Sequence, residues 1–187
     1  MKTLIVYDTR YEAPPEISKE IAKLLRKEGF NVKVINPKEA KITGISEYEL
    51  VVVGSELQID KWTGEAESFL KKFSKDLSKK KVAIFVSSAL FPVYRIQGKT
   101  AEVEQAREKY LEQKAIAYSL KPIAMVMFGG VLDFNKMGFL ARKTLGWVKS
   151  SFEAAGVKET KSGVYDTRDW NEIKSWARKL VLKARYL

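Results

Sequence analysis

Apolar residues fall alternately into short unbroken runs and into stripes at helical spacing. Leu4 to Tyr7 is an unbroken run that predicts a strand. Residues 16–28 then place Ile17, Ile21, Leu24 and Leu25 at i, i+4, i+7 and i+8, one face of a helix. Gly29 stops that helix. Val32, Val34 and Ile35 begin a second strand. Leu50 to Val53 is a continuous apolar run rich in β-branched residues, as in a strand covered on both faces. Ala66, Phe69, Leu70 and Phe73 mark the next helix, and Val82 to Val86 another buried strand. Residues 101–118 suit a helix, with Val103, Ala106, Tyr110 and Ala117 roughly in phase, and Ile123 to Phe128 is the last strongly apolar strand. Beyond it the pattern is helical apart from Gly163 to Tyr165. Ala141, Leu145, Val148, Phe152 and Ala155 share one face of a helix over residues 139–155. Trp170, Ile173, Ala177, Leu180 and Val181 form a final stripe after Asp169, and Asp169 with Glu172 stands at capping-box spacing.

Five buried strands separated by helices predict an α/β fold, a parallel sheet with helices on both faces, in one domain over residues 1–187. Ligands of such sheets sit outside the carboxyl ends of the strands, which selects the loops at 8–15, 54–62, 87–100 and 129–138. The first lies at a helix N-terminus, where free N–H groups attract an anion. Thr9 offers a hydroxyl there, Arg10 a charge and Tyr11 a ring, whereas Glu12 opposes an anion and Pro14 and Pro15 each lack an N–H. A rigid turn that merely starts the helix is the competing reading. In the second loop Gly54 permits close approach, Ser55 and Gln58 offer hydrogen-bond groups to the edge of a heterocycle, and Trp62 suits packing better than stacking. The third, from Ser87 to Gly98, carries Ser87 and Ser88 at a strand end, Phe91 and Tyr94 for a flat ligand, and Arg95 for an anion. It is expected to be a long functional loop or a lid. In the fourth, Gly129 and Gly130 let backbone pass close to a ring or phosphate, with Asp133 beyond them.

Composition narrows the chemistry. The 187 residues include no Cys and no His. That excludes disulfides, iron–sulfur clusters, thiol catalysis and the Ser-His-Asp arrangement, and makes a zinc site improbable. Met1 leads into a strand too short for a secretory core, and the longest apolar run, Ile123 to Leu132, is too short to span a bilayer. A cytoplasmic protein is expected. The net charge of +11 is spread along the chain, with 18 basic and 13 acidic residues in 1–100 and 16 and 10 beyond. A lysine-rich solvated surface accounts for it, and it also suits acidic partners or anionic lipid. Phe139, Arg142, Lys143, Trp147 and Lys149 make residues 139–155 a candidate peripheral membrane helix. A recognition motif for nucleic acid is missing.

The order of motifs resembles the flavodoxin-like superfamily, nearest its menaquinone-dependent protoporphyrinogen oxidase branch. The likeness rests on Leu4-Ile5-Val6-Tyr7 with Thr9 and Tyr11, on Val52-Val53-Gly54-Ser55 followed by Trp62, on Phe128-Gly129-Gly130-Val131-Leu132-Asp133-Phe134, and on Asp166-x-x-Asp169-Trp170. The resemblance implies a three-layer sandwich with a five-stranded parallel sheet in the order 2-1-3-4-5. It also implies non-covalent FMN, held by Thr9, Arg10, Tyr11, Gly54, Ser55, Leu57, Gln58, Ser87, Ser88, Phe91, Tyr94, Gly129, Gly130 and Asp133. Glu12, Ala13 and Pro14 stand where the family carries glycine, serine and threonine, and Gln58 stands at a ring-facing tyrosine position, so weak FMN binding is expected. Implied function is electron transfer or oxidoreduction with a quinone, a porphyrinogen or an acidic redox protein. A homodimer and an anionic membrane surface are further candidate partners, and no specific nucleic acid is expected. The alternative is a flavodoxin-fold interaction or structural module that has lost its cofactor.

Overall fold

The expected alternation is realised with longer strands in the computed structural model, which describes residues 1–9, 13–58, 60–138 and 146–187. The main sheet is built from β1 (Lys2–Asp8), β2 (Asn31–Ile35), β3 (Leu50–Gln58), β5 (Lys81–Ser87) and β6 (Pro122–Phe128). These strands are mutually parallel in the order β2-β1-β3-β5-β6, which is the 2-1-3-4-5 order that the resemblance implies. The short β4 (Lys61–Trp62) folds back antiparallel onto the end of β3. The second expected loop is therefore mostly strand. Gly54, Ser55 and Glu56 have low intrinsic strand preference, but ladders on both sides, to Tyr7 and Asp8 in β1 and to Phe85, Val86 and Ser87 in β5, override it.

Helices cover both faces. α1 (Ala13–Lys27) and the last helix, α7 (Trp170–Tyr186), pack on one side, where Ile17, Ile21, Ile173, Ala177 and Leu180 meet Ile5, Val52, Ala83 and Phe85. On the other side α2 (Gly64–Leu77) brings Phe69, Leu70 and Phe73 against Leu4, Val51, Val53 and Ile84. Burying each large apolar side chain in these layers contributes about 1.5–3 kcal/mol. α1 ends where the sequence predicts. Gly29 adopts a φ of 82°, Gly29 N–H donates to Arg26 O at 3.0 Å and Phe30 N–H to Leu25 O at 3.1 Å. This is the two-bond helix stop that a left-handed residue permits.

One further expectation is corrected and another is refined. Residues 87–98 do not form a lid loop: Leu90–Ile96 is the helix α3. Pro92 fits its first turn because N–H groups there have no intrahelical acceptor. The helix over 101–118 consists of α4 (Thr100–Arg107), a π-turn (Glu108–Glu112) and α5 (Gln113–Ala117). A small antiparallel ribbon, β7 (Val131–Asp133) with β8 (Val164–Asp166), stands beside the main sheet. It belongs to a third core of Ala89, Val93, Val148, Phe152 and Tyr165, completed by α6 (Gly146–Ala154). Phe139, Ala141, Arg142, Lys143 and Leu145 of the expected amphipathic helix lie outside the described residues.

Candidate functional site

A cleft of about 560 Å³ opens at the carboxyl ends of β3, β5 and β6. Leu57 reaches it from the end of β3, Phe91 and Tyr94 from α3, and Tyr110 from the π-turn. Leu132, Met137 and Trp147 line it from the side of the β7–β8 ribbon and α6. The Phe91 and Tyr110 rings lie 6.4 Å apart at 42°. The carbonyl of Tyr110 is fixed by the buried Trp62, whose indole N–H donates to it at 2.9 Å. Trp62 thus packs, as its sequence context favours. Polar groups sit at intervals around the apolar lining. Lys109 and Asp60 form an ion pair, and the Lys99 ammonium stands 5.4 Å from the centre of the Tyr94 ring. Burial pushes the Tyr94 phenol up, and the negative charges of Glu102 and Asp60 push it further. It is a neutral hydroxyl, able to donate.

Of the residues that the sequence nominates, Leu57, Ser88, Phe91, Tyr94 and Gly130 line the cleft. The rest are placed elsewhere or serve the fold. Ser55 is fully buried: its hydroxyl donates to Glu56 O at 2.9 Å, accepts from Thr63 N–H at 3.0 Å and lies 2.9 Å from the Thr63 hydroxyl. Gly54 lies against a ring of the protein itself, because a Cβ there would overlap Phe85. Gly129 lies likewise against the Thr167 carbonyl, and a Cβ on Gly130 would come within 3.0 Å of Ala89 N. Ser87 is fully buried and, among the described residues, its hydroxyl has no partner. Strand alternation puts it on the face of Ala83 and Phe85, with α1 and α7. Asp133 accepts from Asn135 N–H at 2.9 Å and fixes a turn. Arg95 is held by Glu172 at 2.9 Å and by the Met127 carbonyl at 2.9 Å. Arg10, Tyr11 and the side chain of Gln58 lie outside the described residues.

Several backbone donors near the cleft are also committed. Ser88 N–H donates to Phe128 O at 3.1 Å, Leu90 N–H to the Ser88 hydroxyl at 3.3 Å, and Gly130 N–H to the Thr167 hydroxyl at 3.2 Å. Sequence reasoning missed Tyr110, Lys109 and Met137 as site residues. For Tyr110 the signal was present, since its helical phase points it at the sheet. The π-turn that swings this stretch over the strand ends has no sequence signature, although such turns recur at functional sites.

The described residues at the end of β1 and the start of α1 are organised around acids. Asp8 is fully buried, and both its oxygens are used. Oδ1 accepts from Thr9 N–H at 2.8 Å and from the Lys38 ammonium at 2.7 Å, and Oδ2 accepts from Glu65 N–H at 3.0 Å. A strand residue thereby caps the N-terminus of α2, where a carboxylate is favoured. The Thr9 hydroxyl donates to Glu56 Oε2 at 3.2 Å, and Lys38 also donates to Thr9 O at 3.1 Å. In the first turn of α1, Glu16 pairs with Arg168, which also binds Asp166 at 2.6 and 2.9 Å.

The sequence profile of the flavodoxin domain matches residues 4–158. The protoporphyrinogen IX dehydrogenase [quinone] of Escherichia coli K12 is 22% identical over 181 residues, covering 97% of this chain and 95% of that protein. An archaeal flavodoxin superposes with a TM-score of 0.56 at 14% identity over the whole of both chains. The Streptococcus pneumoniae flavodoxin superposes with 0.59 at 12% identity, over 99% of this chain and 98% of that one. The rubredoxin oxygen:oxidoreductase of Desulfovibrio gigas gives 0.55 at 14% identity, all of this chain matching 37% of that one.

Proposed function

The chain belongs to the flavodoxin domain family, and from that premise we propose that it is an FMN-type redox protein that grips its flavin by the ring. The aromatic-lined cleft at the carboxyl ends of β3, β5 and β6 carries this reading. It lies at the ligand-binding end of an α/β sheet and has the size of a small-molecule pocket. Its lining fits a flat heterocycle. Among the described residues, the donors of Thr9 and Lys38 beside Asp8 already serve carboxylates, which suits a phosphate poorly.

A bound flavin supplies one- and two-electron redox chemistry. The chain's own residues bind and shield. Leu57, Leu90 and Phe91 exclude water from a ring, Tyr110 offers an aromatic face, and the Tyr94 hydroxyl offers a neutral donor. The name of the E. coli relative supports a quinone as electron acceptor, and the charge of +11 supports an acidic protein partner. Titration of the apoprotein with FMN, followed by its visible spectrum and fluorescence, tests the reading. Saturable quenching is expected. Absence of binding in the tens of micromolar would remove the redox reading and leave a flavodoxin-fold interaction module.

A further inference from the structure

The two helix layers carry unequal charge. α1 and α7 together hold nine basic and three acidic residues. On the opposite side of the sheet, α2 and the stretch from α4 to α5 hold six basic and seven acidic residues. More than half of the net charge of +11 therefore sits on one face. α1 and α7 lie side by side and run parallel: Glu16 in the first turn of α1 pairs with Arg168 just ahead of α7, and Glu28 just beyond α1 pairs with Arg185 in the last turn of α7. Two of the three acids are neutralised by arginines from outside these helices, Glu16 by Arg168 and Glu172 by Arg95. Lys19, Lys27, Arg178, Lys179 and Lys183 are exposed and, among the described residues, form no ion pair. A helix C-terminus favours the cations of its last turn, which accounts for Arg26, Lys27, Lys183 and Arg185. It does not account for Lys19, Arg178 or Lys179.

We propose that the α1–α7 face docks on the anionic surface of a lipid bilayer. Leu182 and Tyr186 stand one turn apart among these cations, 56% and 79% exposed. Apolar side chains set between cations sink into a headgroup layer while the ammonium and guanidinium groups meet its phosphates. A nucleic-acid backbone or a run of acidic residues would use the cations and leave the apolar pair in water. Among the described residues, none of α1 or α7 lines the cleft. The docking face and the cleft thus use different side chains, and the inference is independent of the flavin reading.

The test is co-sedimentation of the full chain with vesicles of phosphatidylglycerol and phosphatidylcholine in equal parts, against vesicles of phosphatidylcholine alone, at an ionic strength of about 0.1 M. Binding to the first and not to the second is expected. Lys19→Gln with Arg178→Gln should weaken it about twentyfold, at about fivefold for each cation lost from the surface contact. Lys71→Gln with Lys75→Gln lowers the net charge equally on the opposite face. It should change vesicle binding less than about threefold, because those charges stand beyond a screening length from the lipid. Leu182→Ser with Tyr186→Ser should weaken vesicle binding at least about fivefold and leave binding of duplex DNA or poly-glutamate unchanged. All six positions are exposed, so the fold should survive each change. Failure to bind the anionic vesicles, or equal losses in the two charge variants, would overturn the proposal. So would duplex DNA or poly-glutamate displacing the protein from the vesicles at equal charge concentration.

Discussion

Single residues at the strand ends hold the layers together. Gly54 has no side chain because Phe85 occupies that space. Gly54→Ala should destabilise the protein by about 1–3 kcal/mol through overpacking. Adding Phe85→Leu should recover part of the loss, and paired denaturant titrations of single and double variants would show it. Asp8 gathers three donors at once. In Asp8→Ala, Thr9 N–H, Glu65 N–H and Lys38 lose their acceptor, for an expected cost of about 2–4 kcal/mol in urea unfolding. Tyr118 makes a different prediction. Burial first, and then its hydrogen bond to Glu67, push its phenol up to about 12. A phenol whose pKa is raised in the folded state stabilises the fold fully below the unfolded value of about 10. That contribution is lost as pH rises through about 12. In ultraviolet titration Glu67→Gln should bring the late-titrating tyrosine down.

Elements were legible where their pattern is their own, and illegible where neighbours impose it. The stripe of α1 and its stop at Gly29, the buried core of β5 and the cap of α7 could all be read directly. Asp169 does accept from Asn171 N–H at 2.8 Å and Glu172 N–H at 3.1 Å. Glu172, read as the partner that completes the box, instead binds Arg95, a contact set by tertiary packing. The extension of β3 through Gly54-Ser55-Glu56 was unreadable because two ladders create it. The β7–β8 ribbon was unreadable because three residues are too few to show a period. The candidate site divides the same way. Phe91 and Tyr94 were found as aromatics at a strand end, and Glu56 as an acid that opposes a phosphate, whereas its bond to the Thr9 hydroxyl depends on the pairing of β1 with β3. The ribbon is tied to α1 through Arg168. Burial opposes ionisation of Asp166, but the hydrogen bonds and charge of Arg168 outweigh it and hold its carboxyl below the usual range. Its contribution is present above the unfolded value of about 3.9 and is lost as pH falls through the folded value. Asp166→Asn should cost about 1.5–3 kcal/mol near neutrality. Between wild type and variant the difference should shrink on acidification, measured as stability against pH.

At the scale of the whole molecule, charge is the dominant property. With +11 overall, association with an acidic redox partner should slow as salt rises, whereas neutral quinone reduction should be nearly insensitive to it. Stopped-flow rates at several ionic strengths separate the two acceptors. Among the described residues no helix is long and apolar enough to cross a membrane. The β7–β8 ribbon has a topological corollary. Asp133 pairs with Val164, and Phe134 N–H donates to Gly163 O at 2.8 Å, so residues 134–163 leave and rejoin the chain through one hydrogen-bonded neck. The cost of closing such a loop is set at the neck and grows only slowly with length. Joining Asp133 to Val164 by a tight turn should leave the five strands of the main sheet paired, while the third core opens as it loses Val148 and Phe152. It would also strip Met137, Trp147 and Val148 from the cleft, turning a walled pocket into an open ledge.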